Sequence, residues 1–350
     1  MSDAGIRIAT GTVVKDLAWY QRWLAVAEAS GFDLVSTGDS QSLWADPFVT
    51  MAVAAEHTTR PRIAVTVSNP RTRHPAVVAS SLVALQQLSG GRIVYGLSSG
   101  DSALRNIGLR PAGLVELEEY ARAVKGLCAG ETVRYRGEDL VLRWGSAPVA
   151  LWMAAEGPRT QHLAGRIADG VVLHTALDPE GFAAATANVR AGADAAGRRF
   201  EDIEIWCMAA MQLARSEEEG IHQLRFQLAG IANFAFRFHL EGKGVPERLH
   251  APLRELQRRY DSSHHVDREG GDAHAALVDE LGLTDFVAGR SVIAGPPARC
   301  VERIREVAAF GASNLIVSQF VEDQLAFMET FAREIRPALS SGAQAADTPS

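Results

Sequence analysis

Short apolar runs of β character alternate with longer stretches of helical periodicity along most of the chain. That alternation limits the fold more than any other feature. The β-type runs fall at residues 6–9, 32–37, 63–67, 93–97, 149–154, 171–174, 203–213 and 315–318. Helical patterns fill 17–30, 47–57, 75–88, 158–168 and 179–196, with Gly31 and Ser89-Gly90-Gly91 as stops and Pro47, Pro75, Pro158 and Pro179 as starts. Strand followed by helix, repeated, requires a parallel sheet with right-handed crossovers. Eight such units in 350 residues predict an α/β chain closed into a (β/α)8 TIM barrel. An open doubly wound sheet is the alternative. Its dinucleotide fingerprint is missing, because Gly96-Leu-Ser-Ser-Gly100 has the wrong glycine spacing.

Two regions interrupt the pattern. Residues 132–144 read as a β-hairpin turning at Gly137-Glu138. Residues 215–290 form a long, mostly helical excursion with a polar centre at 262–272. Insertions of this kind decorate the strand C-terminal face, where they can cover a site. Residues 1–337 are read as one barrel domain carrying that insertion, and 338–350 as a disordered tail.

The formal charge of −7 gives no general attraction to nucleic acid or to an anionic membrane. No apolar run approaches the roughly 18 residues of a membrane span. Cys128, Cys207 and Cys300 are scattered, with neither CxxC nor metal spacing. With no signal-peptide pattern at the start, a cytoplasmic, soluble protein is expected. His264-His265 with Asp267 is the one stretch that resembles a metal cluster, and a solvated loop accounts for it.

In a barrel, functional side chains sit at strand C-termini. Those positions hold Asp39-Ser40-Gln41 and Trp44 after the second strand, Ser68-Asn69-Pro70 after the third and Asp101 after the fourth. After the fifth come Ala155-Glu156-Gly157-Pro158, and after the sixth His174. Each has an ordinary explanation: Asp39 and Asp101 as caps, Trp44 as core, His174 as a structural histidine. Their placement on one rim favours function. The helix start at Gly157 offers backbone N–H groups for a phosphate, with Arg159 as a helper. The stretch Ala64-Val-Thr-Val-Ser-Asn-Pro-Arg-Thr-Arg-His-Pro75 stops a buried strand abruptly. Arg71, Arg73 and His74 within it are read as pocket rim or helix entry rather than as catalytic groups.

Three motifs, in order and spacing, carry a family resemblance: GFDLVSTGDS, AVTVSNPRTRHPAVVASSLVALQQLSGGRIVYGLSSGD and WMAAEGPRTQHLAGRIADGVVL. Together they resemble the bacterial-luciferase-like superfamily, nearest its deazaflavin (coenzyme F420) branch of methylenetetrahydromethanopterin-reductase-like enzymes. The resemblance implies a barrel, a homodimer or higher oligomer, and an FMN or F420 pocket at the strand C-termini. It implies a non-prolyl cis peptide at Thr66–Val67 behind the ring, with Ser68 and Asn69 facing cofactor atoms. Asp39 is implied as an acidic residue beside the cofactor and Asp101 as a carboxylate near the reacting face, both candidate catalytic residues. Ala155, Glu156, Gly157 and Pro158 match the phosphate turn, with Arg159 and His174 beside it. Ser40, Gln41 and Trp44 are the candidate substrate contacts. Many relatives carry a histidine where this chain has Ser40, and Glu156 replaces a small residue.

Because that aspartate–histidine pair is broken, the first expectation is a monooxygenase acting on a small organic substrate. It would use FMNH2 delivered by a separate flavin reductase, and the 215–290 insertion would keep its pocket dry. The alternative is an F420-dependent oxidoreductase that transfers hydride. From another class comes a barrel that binds a ligand without catalysis, against which the retained Asp39, Asn69 and Asp101 weigh.

Overall fold

The computed structural model describes residues 5–237, 239–261, 268–318 and 321–344. In chain order the elements are β1 (Arg7–Thr12), α1 (Leu17–Ala29), β2 (Leu34–Thr37), α2 (Pro47–His57), β3 (Arg62–Ser68), α3 (Pro75–Leu88), β4 (Ile93–Leu97), the short α4 (Ser102–Arg105) and α5 (Leu114–Cys128). A hairpin follows, β5 (Val133–Tyr135) and β6 (Glu138–Leu140), then β7 (Ala150–Ala154), α6 (Pro158–Ile167), β8 (Gly170–Leu173), α7 (Pro179–Ala195) and β9 (Glu204–Leu213). The insertion contributes α8 (Glu217–Phe236), α9 (His250–Arg259), α10 (Arg268–Glu280) and α11 (Thr284–Ser291). The chain continues through β10 (Val292–Gly295), α12 (Pro297–Ala309), β11 (Asn314–Ser318), α13 (Gln324–Thr330), a π-helical turn at Phe331–Ile335 and α14 (Arg336–Gln344).

Strands β1, β2, β3, β4, β7, β8, β9 and β11 pair in parallel and close on themselves. Gly170↔Glu204 opens the β8–β9 register, and Leu315↔Cys207 opens that of β11 with β9. The fold is therefore a (β/α)8 TIM barrel, and the open-sheet alternative is excluded. Its strands are buried on both faces, as parallel sheets covered by helices must be. Ala9, Leu34, Ala64, Val94, Val172 and Ile316 fill the inside. Trp152 and Trp206, with ring centroids 5.2 Å apart, close the end where the strands begin. Arg62 and Arg7 lie 5.0 and 5.1 Å from those two rings, and Glu204 accepts from Arg62 Nη1 (2.9 Å) and Trp206 Nε1 (2.8 Å). Among the described residues, these side chains cover the barrel interior at the end where the strands begin.

Three expectations change. A ninth strand, β10, pairs with the distal half of β9, from Val292↔Ala210 to Gly295↔Leu213. Its four residues follow a helix without a break, so the sequence shows no separate strand signal. The hairpin turns at Arg136-Gly137 instead of Gly137-Glu138, since Tyr135 pairs with Glu138. Both turn residues have positive φ (49° and 91°), as a tight two-residue hairpin demands. The tail expected to be disordered from residue 338 is helical through Gln344. Arg336, at the start of that helix, bonds Asp33 at 3.2 and 3.3 Å and ties it to the barrel. His264, His265 and Asp267 lie outside the described residues.

Helices α6 and α7 touch through glycine. A Cβ at Gly165 would run into the Val189 carbonyl and lie 2.9 Å from Ala193 N, and one at Gly192 would run into the His162 carbonyl. The obstacle at both is helix backbone, which cannot yield. Gly165→Ala is therefore expected to destabilise the fold by about 1–3 kcal/mol. Gly289→Ala, in α11 with open space around it, is expected to be neutral or to stabilise by up to about 1 kcal/mol. Thermal or urea unfolding of the two variants checks the contrast.

Candidate functional site

The peptide Thr66–Val67 is cis, and the β3–β4 register slips between Val65 and Ser68. The neighbouring strand makes room for this with Gly96. A Cβ there would collide with the Val65 carbonyl and lie 3.0 Å from Val67 Cγ1. The expected cis bond is thus present, at the end of a strand facing the barrel mouth.

Asp39 stands two residues beyond β2, and its side chain is 0% exposed. Its Oδ2 accepts from Ser68 Oγ at 2.6 Å and from Arg73 Nη1 at 2.7 Å. Its Oδ1 is buried with no partner. A buried carboxylate is tolerated when a cation and donors face it, and Arg73 supplies both. The same guanidinium donates through Nη2 to Asp46 at 2.7 Å and lies 5.1 Å from the Phe48 ring. Burial pulls the Arg73 pKa down, but Asp39 and Asp46 outweigh burial and hold it above the ordinary arginine value. Asp46, not Asp39, is the helix cap here, accepting from Phe48 N and Val49 N at the start of α2.

Asn69 Oδ1 accepts from Arg71 N and Thr72 N, both at 3.0 Å, which folds the chain after β3 into a tight turn. Asn69 Nδ2 is left buried without a partner. Thr12 Oγ1 and Trp44 Nε1 share that condition. Thr12 pairs with Thr37 across β1 and β2, and the Trp44 indole packs on Gly38. Four unpartnered polar atoms therefore lie at or just beyond the ends of β1, β2 and β3. Each costs about 1–3 kcal/mol if nothing satisfies it. They comprise hydrogen-bond donors and acceptors on adjacent strands, which suits a planar ring bearing N–H and carbonyl groups.

Two side chains join the β2 and β4 loops. Ser40 Oγ lies 3.0 Å from Ser102 Oγ, and Gln41 Nε2 donates to the Ala103 carbonyl at 2.7 Å. Asp101 precedes α4 but makes no cap bond. Its Oδ1 accepts from Arg105 Nε at 2.7 Å and from Arg237 Nη1 at 3.2 Å. Arg237 ends α8, and its guanidinium lies 4.7 Å from the Phe234 ring. Phe234 in turn meets the His174 ring edge-on at 5.0 Å. Through these contacts the insertion reaches the mouth above β4 and above β8.

At the β8 side, Glu156 Oε1 takes His174 N and His174 Nδ1, each at 2.8 Å. This draws the carboxylate toward the end of β8. The α6 N-terminus at Gly157-Pro158 carries no side-chain cap. Glu156, Gln161, Thr175, Gly181, Gly242 and Lys243 line a narrow pocket beside it. Arg159 does not line this pocket. On α6 it shares a face with His162 and Arg166, and these line an outer groove with Leu114, Val115 and Glu118 of α5.

Arg71 bonds Glu116 at 2.6 Å, and His74 Nδ1 accepts from Ala76 N as the cap of α3. These two are engaged at the loop and at the helix start, whereas Arg73 reaches the buried Asp39 carboxylate. Arg237, Lys243 and Thr12 are further candidates that the sequence did not single out. Arg73 and Arg237 find their carboxylates 34 and 136 positions away, and no local pattern signals that.

Lys243 donates to the Ala235 carbonyl at 2.6 Å. Burial pulls its pKa down to about 8; Glu156 opposes that and Arg237 adds to it. Between that value and the ordinary lysine range, the unfolded chain binds a proton that the native state lacks, so native stability rises with pH across this window. Melting temperatures of wild type and Lys243→Met, compared from pH 7 to 10, should show wild type gaining by a few degrees as the pH rises. A constant difference would remove Lys243 from this account.

The luciferase-like monooxygenase family profile matches residues 4–314. The 5,10-methylenetetrahydromethanopterin reductase of Methanolobus tindarius is 28% identical over 321 residues, covering 89% of this chain and 92% of that one. The F420-dependent glucose-6-phosphate dehydrogenase of Intrasporangium calvum is 27% identical over 337 residues, covering 89% and 92%. The solved structure of the coenzyme F420 dependent tetrahydromethanopterin reductase from Methanopyrus kandleri superposes with a TM-score of 0.73 at 22% identity, covering 96% of this chain and 100% of that one, and so shares the fold. With the profile spanning most of its length, the chain belongs to the luciferase-like monooxygenase family.

Proposed function

We propose that this oxidoreductase is F420-dependent and transfers hydride to or from a small organic substrate. The observation that carries a ring-shaped cofactor is the set of unpartnered buried atoms at the mouth: Thr12 Oγ1, Asp39 Oδ1, Trp44 Nε1 and Asn69 Nδ2. The choice of F420 is supported by the relatives, since one that matches nearly full length is named F420-dependent. This reverses the initial preference for FMNH2 and a partner flavin reductase. That preference rested on Ser40 replacing a histidine, and a single missing side chain does not distinguish the two cofactors.

When bound, F420 supplies the hydride chemistry. The chain's own residues would hold and screen the ring. Asn69 Nδ2 would be the donor offered to it and Asp39 Oδ1 the acceptor. Gly96 leaves room beside Val65 and Val67 beneath them. At the other end of the mouth, the backbone N–H groups that open α6 suit a phosphate, with Glu156 held aside by His174. Asp101 is compensated by Arg105 and Arg237, so it serves to fasten the insertion as well as to face substrate. Ser40, Gln41 and Trp44 lie beside the ring site as substrate contacts. The insertion, which contacts the mouth through Arg237 and Phe234, would limit bulk water there.

A monooxygenase using FMNH2 is the second reading, favoured by the description of the family itself. Side-by-side titration with F420 and FMN, followed by turnover with oxygen excluded, separates the two. Micromolar F420 binding and oxygen-independent hydride transfer are expected. Oxygen uptake with FMNH2 and no F420 binding would reject the proposal, and absence of both would reject the cofactor site. Asn69→Leu is expected to weaken cofactor binding by about tenfold, the worth of one hydrogen bond. Unchanged affinity would show that the ring lies elsewhere.

A further inference from the structure

We infer that Arg73 is a positioning residue of the cofactor site: it holds one oxygen of Asp39 and so leaves the other to accept from a donor on the bound cofactor. The inference rests on the cofactor reading above and gives Arg73 a role beyond the rim position read from the sequence.

Three observations carry it. The Asp39 carboxylate is 0% exposed, so its orientation is set by protein partners alone. Those partners, Ser68 Oγ and Arg73 Nη1, both bond Oδ2, at 2.6 and 2.7 Å, while Oδ1 is buried and unpartnered. Arg73 is itself fixed at its far end by Asp46 at 2.7 Å, and its carbonyl accepts from Tyr120 OH at 3.0 Å. A guanidinium braced on two sides cannot swing to bond Oδ1 as well. Lysine would supply the charge but could not bridge two carboxylates along fixed directions.

The charged and titratable groups around Asp39 come from four elements or their flanks. Arg73 lies between β3 and α3, Asp46 behind it caps α2, Tyr95 is on β4 and Tyr120 on α5. Burial pushes the Tyr95 hydroxyl up to about 12 and raises Tyr120 further, so both stay protonated near neutrality. Among the described residues, Arg73 is the one cation in this group. Without it, the carboxylate loses one of the two partners that fix Oδ2, and Oδ1 is no longer held in one direction to accept from the cofactor.

The test is titration of F420, and of FMN in parallel, into wild type, Arg73→Met, Arg73→Lys and the double variant Asp39→Asn/Arg73→Met. Arg73→Met is expected to bind about tenfold more weakly than wild type. Arg73→Lys keeps a cation beside Oδ2 and is expected to recover part of that affinity, with the remainder lost because lysine cannot bridge Asp39 and Asp46. The double variant buries no unpaired charge and should fold even where Arg73→Met does not. It is expected to bind about tenfold or more weakly. Wild-type affinity in Arg73→Met or in the double variant overturns the inference while leaving the cofactor site intact. Failure of wild type to bind either cofactor overturns both.

Discussion

Closure of the sheet is the constraint on which everything else depends. A parallel strand satisfies its backbone only if both edges find partners, and eight strands joined in a ring meet that condition with no exposed edge. One consequence is geometric. All eight strands run the same way, so segments separated by more than a hundred residues end on one rim. Asp39, Asn69, Asp101, Glu156 and His174 meet there because each follows a strand, not because they are close in sequence. A second consequence is that the opposite end can be sealed. Trp152, Trp206 and the Arg62–Glu204 pair do so, while the opposite rim carries the polar residues that follow the strands.

Within the mouth, electrostatics is local and paired. The protein carries a formal charge of −7, yet its rim carboxylates have partners close by, Glu156 in His174 and the two aspartates in arginines. Asp39 has Arg73, and Asp101 has Arg105 and Arg237. Such pairs in a low-dielectric setting contribute more to orientation than to stability, because desolvation offsets much of their attraction. Orientation is what a redox cofactor requires of its protein, since the reactive atoms belong to the cofactor.

The strands were legible in the sequence to within a residue or three, because a buried parallel strand is a continuous apolar run with sharp ends. The cis peptide was legible only through family resemblance; nothing in Thr66 or Val67 alone calls for it, and the structure shows its condition in Gly96 on the next strand. Strand β10 escaped notice because it directly follows α11, with no turn residue between them. Arg159 is next to the phosphate turn in sequence, but helical periodicity turns it to the outer groove between α5 and α6. Arg73 sits in the stretch where β3 stops, yet its carboxylate partner is on another strand's loop, and sequence neighbours carry no trace of that.

Strand β9 is ten residues long and pairs with β8, β11 and β10. The insertion departs from the end of β9 and returns as β10 against the same stretch of backbone, so its two ends are moored to one strand. The load of the 214–291 segment therefore falls on the distal half of β9, from Ala210 onward, past the residues paired with β8 and where the pairing with β11 ends. A change of length within the segment is absorbed there and leaves the register of the eight barrel strands as it is.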